Sequence, residues 1–279
     1  MLSYRHAFHA GNFADVLKHL VLINILEYLK KKDQPICYID THAGAGKYHL
    51  NKDYALQTRE FEKGIGQLWS LKDLPQCVAA YLNLVKQFNT NQLVHYPGSP
   101  LIAKKILRPN DRLYLFELHS TDYALLVNAT HKDKRIKQFN SDGFEACLKL
   151  LPPHERRGLI LIDPSYEIKT DYRQVVDALI KMHKRFATGT FALWYPVIDR
   201  SRNQKLEKAM TNAGIKNVTL FELGVSTDTN SLGMTASGMI VINPPWTLAA
   251  EMQSTLPWLA DILGNTGEGY YRVETLAVE

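Results

Sequence analysis

The sequence predicts an α/β fold, a seven-stranded, mostly parallel sheet with helices on both faces and a small helical insertion. Three observations carry this reading. Short apolar stretches alternate with longer stretches of helical periodicity, as strand–helix–strand crossovers require. One apolar stretch, residues 159–162 (LILI), has no polar interruption, the pattern of a strand buried on both faces. Two of the stretches end in a carboxylate and a turn: Asp40-Thr41-His42-Ala43-Gly44-Ala45-Gly46 and Asp163-Pro164-Ser165-Tyr166. Such turns lie at the edge where an open α/β sheet holds its ligands.

In chain order, strands are predicted over residues 36–40, 112–118, 137–140, 159–163, 190–197, 217–225 and 237–243. Helical periodicity is clearest over 15–31, 172–186, 204–213 and 248–263. In a dinucleotide-type unit, the acid that holds a ribose lies about 20 residues past the glycine turn. Here the next strand-end acid after Asp40 is Glu117, much farther on. Residues 48–96 in between read as helical, with helices over 56–69 and 74–88, and form an inserted helical subdomain. Residues 1–47 and 97–279 make up the sheet domain.

The bulk numbers narrow the class. The chain has 279 residues, is 46% hydrophobic by composition and carries a net charge of +5. No apolar run approaches the roughly 18–20 residues of a membrane span, and the N-terminus lacks the apolar core of a signal peptide. Cys37, Cys77 and Cys147 are widely separated, with no CxxC spacing. That argues against a disulfide framework and a metal site, and for the cytoplasm. The basic clusters at 131–137 and 181–185 suit contact with nucleic acid or simply solvated surface.

The strand ends carry the chemistry. Gly44 and Gly46 allow a ligand close approach to the backbone after the first strand. A phosphate loop is absent, since no GK[ST] follows, and GxGxxG is incomplete because His49 takes the third glycine's place. Glu117 is placed to accept two ribose hydroxyls. Asp142 is placed to receive an adenine amino group, with Gly143 giving clearance. Either acid also suits a helix cap or a turn. Asp163 and Tyr166 suit a planar amine held by hydrogen bond and stacking, although Asp-Pro is also a common turn starter.

Acids or polar turns after four successive strands mark the Rossmann-like methyltransferases that use S-adenosylmethionine. Five segments tighten the match: YRHAFHAGNFADVLKH (4–19), DTHAGAG (40–46), YPGSP (96–100), LILIDPSYE (159–167) and GMTASGMIVINPPW (233–246). Over nearly its whole length the chain resembles the bacterial 23S ribosomal RNA adenine-N6-methyltransferases. The resemblance implies S-adenosylmethionine as cofactor, held by His19, His42, Gly44, Ser99, Glu117, Asp142, Gly143 and Asp163. It makes Asp163 the catalytic acid/base, aided by the Pro164 carbonyl and a Tyr166 ring stacked on the base. Tyr4, His6 and Lys18 would approach the RNA. A monomer acting on 23S rRNA, without metal or membrane, is expected.

Two features cut against a simple transfer of the motif. Ser165 stands where the family usually has a second proline, which puts the pose of Tyr166 in question. Asn243-Pro244-Pro245-Trp246 matches the amino-methylating motif better than DPSY does. It ends the seventh strand, however, which in this fold runs antiparallel and so points away from the cofactor edge. Other acceptors that similar motifs serve are DNA adenine and a protein glutamine amide. An RNA-binding module that has lost catalysis is a third reading.

Overall fold

The computed structural model describes residues 5–167, 171–228 and 233–278. A 3₁₀ turn, His6–Phe8, leads into α1 (Phe13–Lys30), which is capped by Asn12, whose side chain accepts from the Asp15 amide. Strand β1 (Cys37–Asp40) follows, then β2 (Lys47–His49), α2 (Asp53–Thr58), α3 (Ile65–Leu68), α4 (Gln76–Lys86) and β3 (His95–Pro97). The chain continues through α5 (Ser99–Ile106), β4 (Arg112–Phe116), α6 (Ser120–Thr130), β5 (Ile136–Phe139), α7 (Gly143–Leu150) and β6 (Gly158–Ile162). It ends with α8 (Asp171–Arg185), β7 (Thr190–Val197), α9 (Arg200–Asn212), β8 (Val218–Gly224), β9 (Ala236–Ile242), α10 (Leu248–Leu263) and β10 (Tyr270–Ala277).

The main sheet has the order β10-β8-β9-β7-β6-β1-β4-β5. Strands β5, β4, β1, β6 and β7 are parallel neighbours, and β9 runs antiparallel between β7 and β8. All seven expected strands are present, and β9 has the direction expected of the seventh. The strand count needs correction, because β10 adds an eighth strand, antiparallel to β8 at the sheet edge. That strand is only half buried, so no apolar run announces it. It is held instead by its backbone ladder with β8 and by Arg272, which bonds Glu207 of α9 and Glu222 of β8.

The strands β1, β6, β8 and β9 are buried at every position, as helices on both faces demand. Helix α1 is buried on nearly every side, because the sheet lies on one flank and α4, α5 and α10 on the other. Its core is continuous with Ile65, Leu68, Val78, Tyr81 and Val85 of the segment between β1 and β4. The single helix expected over 56–69 is broken in the structure. Arg59 has a φ of 52°, and a Cβ on Gly64 would come within 2.2 Å of the Gly11 carbonyl. The chain must turn there to clear the backbone ahead of α1. Residues 47–49 and 95–97 close this segment as a two-stranded antiparallel ladder that the sequence pattern did not announce.

Candidate active site

A cavity of about 280 Å³ opens at the C-terminal ends of β1, β4 and β6. Its floor is the turn after β1. Gly44 has a φ of 61°, in the region that favours glycine, and its amide donates to Glu117 Oε2 at 2.8 Å. The His119 amide donates to Glu117 Oε1 at 2.7 Å, so two backbone donors hold the carboxylate at the end of β4. Burial nevertheless raises the Glu117 pKa above its ordinary value.

Asp40 is fully buried beneath that turn, accepting from the Tyr38 hydroxyl at 2.8 Å and the Ser99 hydroxyl at 2.7 Å. Desolvation lifts its pKa to about 6. Asp40 thus ties the start of α5 to the end of β1 and sets Ser99 at the cavity wall. Asp142 caps α7 through Oδ1, accepting from the Phe144 and Glu145 amides, and also lines the cavity. The helix-cap and site readings of Asp142 are therefore compatible. Gly143 packs so tightly that a Cβ would meet the Thr41 carbonyl at 2.0 Å. His42 stands edge-on to Phe144, with ring centroids 5.0 Å apart, and burial pushes its pKa down to about 4.

The far wall is a row of buried charges. Lys18 Nζ lies 2.5 Å from Asp163 Oδ2 and 2.8 Å from Asp15 Oδ1. His6 Nε2 lies 2.9 Å from Asp15 Oδ2. Asp15 is 1% exposed, Lys18 5% and Asp163 14%, so the pairing is shielded from water. The cationic neighbours hold the Asp15 carboxyl well below the usual range, against a desolvation that pushes it up. Lys18 is raised by its two carboxylates although burial acts in the other direction. His19, one position along α1, bonds the Tyr96 hydroxyl through Nδ1 at 2.7 Å. Its Nε2 is buried without a hydrogen-bond partner among the described residues, and desolvation drives its pKa down to about 3.

The cavity thus gathers His6, Lys18, His19, His42 and Gly44 with Ser99, Glu117, Asp142, Gly143, Asp163 and Pro164. Tyr4 lies outside the described residues. Tyr166 is the exception. It adopts a φ of 53° and turns its ring into the core against Tyr172, with centroids 4.5 Å apart, and Trp194, at 5.9 Å. Its hydroxyl donates to the Trp194 carbonyl at 2.7 Å, so it does not line the cavity. The sequence reading also missed Asp15, which bridges His6 and Lys18. Its spacing from Lys18, one helical turn, was the available signal.

A model of the family described as "Ribosomal RNA large subunit methyltransferase D, RlmJ" matches residues 33–277. The chain belongs to this family. It is 51% identical to "Ribosomal RNA large subunit methyltransferase J" of Escherichia coli K12, with all of both chains covered. It is 48% identical to the protein of the same name from Haemophilus influenzae, again over both full lengths. A crystal structure of a Legionella pneumophila protein superposes with a TM-score of 0.89 at 38% identity, covering 96% of this chain and 98% of that one. A probable spermidine synthase from Corynebacterium glutamicum, 10% identical, shares the fold alone, with a TM-score of 0.53 over 96% of this chain and 77% of that one.

Proposed function

We propose that this member of the ribosomal RNA large subunit methyltransferase J family transfers a methyl group from S-adenosylmethionine to the exocyclic N6 of an adenine in 23S rRNA. The observation that carries the reading is Asp163. It ends the buried strand β6, lines the cavity, and faces the strand-end groups Gly44, Glu117 and Asp142. We take the protein to act as a cytoplasmic monomer, with residues 48–96 an insertion on the unit formed by 1–47 and 97–279.

The residues present suit the cofactor. The His19 Nε2 atom needs a polar partner, which an amino-acid moiety offers. Glu117, poor in compensating charge, suits a pair of ribose hydroxyls. Asp142 and Gly143 suit an adenine edge, and Phe144 and His42 offer rings beside it. Bound S-adenosylmethionine supplies an electrophilic methyl carbon on a positively charged sulfur.

The adenine amine is a weak nucleophile, because its lone pair is delocalised into the ring. In this reading Asp163 Oδ1 accepts one N–H and the Pro164 carbonyl the other, which favours the pyramidal nitrogen able to attack. Lys18 donates to Oδ2 and so orients the carboxylate. As the new N–C bond forms and the S–C bond breaks, the nitrogen becomes acidic, and Asp163 or water takes the proton. Holding the amine in line accounts for much of the acceleration, since near-attack geometry is set before reaction. The target adenine must be unpaired or flipped to reach the cavity.

In the test, purified protein, labelled S-adenosylmethionine and protein-free 23S rRNA yield N6-methyladenine at one position by mass spectrometry. Label in duplex DNA or in protein glutamine, with none in the RNA, would overturn the assignment. Absence of calorimetric cofactor binding would instead favour a binding module without catalysis.

A further inference from the structure

A second cavity, of about 510 Å³, lies on the other side of Tyr48 from the active site. It is formed by the β2–β3 ladder, α5 and α6, and the established chemistry makes no use of it. Its basic side chains are Lys47, His49, His95, Lys104 and Lys105, and no carboxylate lines it among the described residues. Lys47 and Lys105 are exposed and Lys104 is half-buried, and none of the three forms an ion pair among the described residues, in contrast to the buried Lys18, which is paired with Asp15 and Asp163.

The two histidines are packed edge to face, with ring centroids 4.7 Å apart. Each leaves a buried Nδ1 without a hydrogen-bond partner among the described residues. Desolvation holds both rings below their ordinary pKa, helped by the charges of Lys52 and Lys47 at His49 and of Lys47 at His95, so the positive charge of the cavity comes from its lysines. Lys105 rests over the Phe88 ring, 5.5 Å from its centroid. That ring also lines the cavity, as an apolar surface beside the charges.

By contrast, the basic clusters noted in the sequence are partly committed to the fold. Arg135 donates to the Lys104 and Arg108 carbonyls at the end of α5 and pairs with Asp133. Arg185 donates to the Leu148 carbonyl.

We propose that the cavity between the β2–β3 ladder, α5 and α6 is a phosphate-binding subsite that grips the RNA backbone of the substrate. The proposal rests on the rRNA-methyltransferase reading and extends it to a residue set outside the reaction centre. Charge complementarity names the occupant, because phosphates in a chain meet several lysines at once and release counterions on binding. Tyr48, whose hydroxyl accepts from the Ala45 amide, stands between the two cavities. It gives the RNA a fixed offset between its held phosphates and the reactive base. The grip supplies position and affinity, while base identity is read at Asp163.

The test uses full-length protein, in-vitro-transcribed 23S rRNA and filter binding at several salt concentrations. Steady-state methylation and calorimetric cofactor affinity are measured in parallel. The K104E/K105E variant should weaken RNA binding by about tenfold or more and flatten the log Kd against log salt slope by about one to two. The KM for RNA should rise with it, while kcat at saturating RNA and cofactor affinity stay within about twofold of wild type. If K104E/K105E loses cofactor affinity and so has not folded, K104Q/K105Q, which keeps the stems, decides by the same readouts. RNA affinity and salt slope unchanged in a variant that still binds cofactor would overturn the subsite. That outcome leaves the function intact as long as wild-type protein methylates the RNA. Failure of wild type to do so would overturn the function itself.

Discussion

Two turns in this molecule look alike in sequence and behave differently in the fold. Asp163-Pro164-Ser165-Tyr166 follows β6, and Asn243-Pro244-Pro245-Trp246 follows β9. The first carboxylate faces a cavity and is held by Lys18. Asn243 instead donates to the Ala187 and Gly189 carbonyls, and its own carbonyl accepts from the Thr190 hydroxyl. It fastens the end of β9 to the start of β7, and Trp246 beyond it is 80% exposed. The better motif match therefore stands at the wrong end of the sheet. Because β9 is antiparallel to β7, its C-terminal end lies opposite the edge where β1, β4 and β6 finish. Strand direction, more than the letters of the turn, assigns the chemistry.

The contrast can be broken most severely at Lys18. Lys18→Met would leave Asp15 and Asp163 buried without their shared cation. Unfolding free energy should fall by about 3–5 kcal/mol in urea titration, as for other broken buried pairs. Methyl transfer should drop by a factor of roughly 100 or more. A variant as stable and active as wild type would show that the row of charges does not hold Asp163.

A smaller effect sharpens the contrast through pH, because the turn after β9 has no titratable group. His19 is held down to about 3 in the folded protein by burial. The unfolded chain takes up that proton near pH 6.5, so the stabilisation is complete above that pH and is lost as pH falls toward 3. His42, held at about 4, acts in the same sense. Between pH 6 and 4, His19→Gln should remove about 1.4 kcal/mol per pH unit from the slope of stability against pH, read from urea midpoints at several pH values. An unaltered slope would mean that His19 is charged in the fold.

The smallest effect belongs to the other turn. Asn243→Ala loses two side-chain hydrogen bonds that tie strand ends together and should cost about 1–2 kcal/mol. Its kcat for RNA methylation should remain within about twofold of wild type.

The sheet was readable because most of its strands carry short apolar runs, those of β1, β6, β8 and β9 buried at every position, and because the partly exposed β4 and β5 fall in the strand–helix alternation. The half-buried edge strand β10 has no such run and is held by its ladder with β8 and by the ion pairs of Arg272 with Glu207 and Glu222. The cavity's backbone-adjacent groups were also readable, since strand order places Gly44, Glu117, Asp142 and Asp163 along one edge. What local pattern could not supply was pairing over distance. Lys18 and Asp163 meet across 145 positions, so the lysine read as approaching RNA is also the partner of the acid. Tyr166 is set by contacts with Tyr172 and Trp194, which draw its ring into the core where stacking on a base had been expected. The break at Gly64 likewise follows from the backbone of Gly11 lying against it.

The central claim is that Asp163 after β6 carries the transfer and Asn243 after β9 does not. Labelled methyl transfer to 23S rRNA by wild type, Asp163→Ala and Asn243→Ala, each first shown to be folded, tests it directly. The account predicts loss of a factor of about 100 to 10,000 in kcat for Asp163→Ala and near wild-type rates for Asn243→Ala. Activity surviving in Asp163→Ala and vanishing in Asn243→Ala would contradict it.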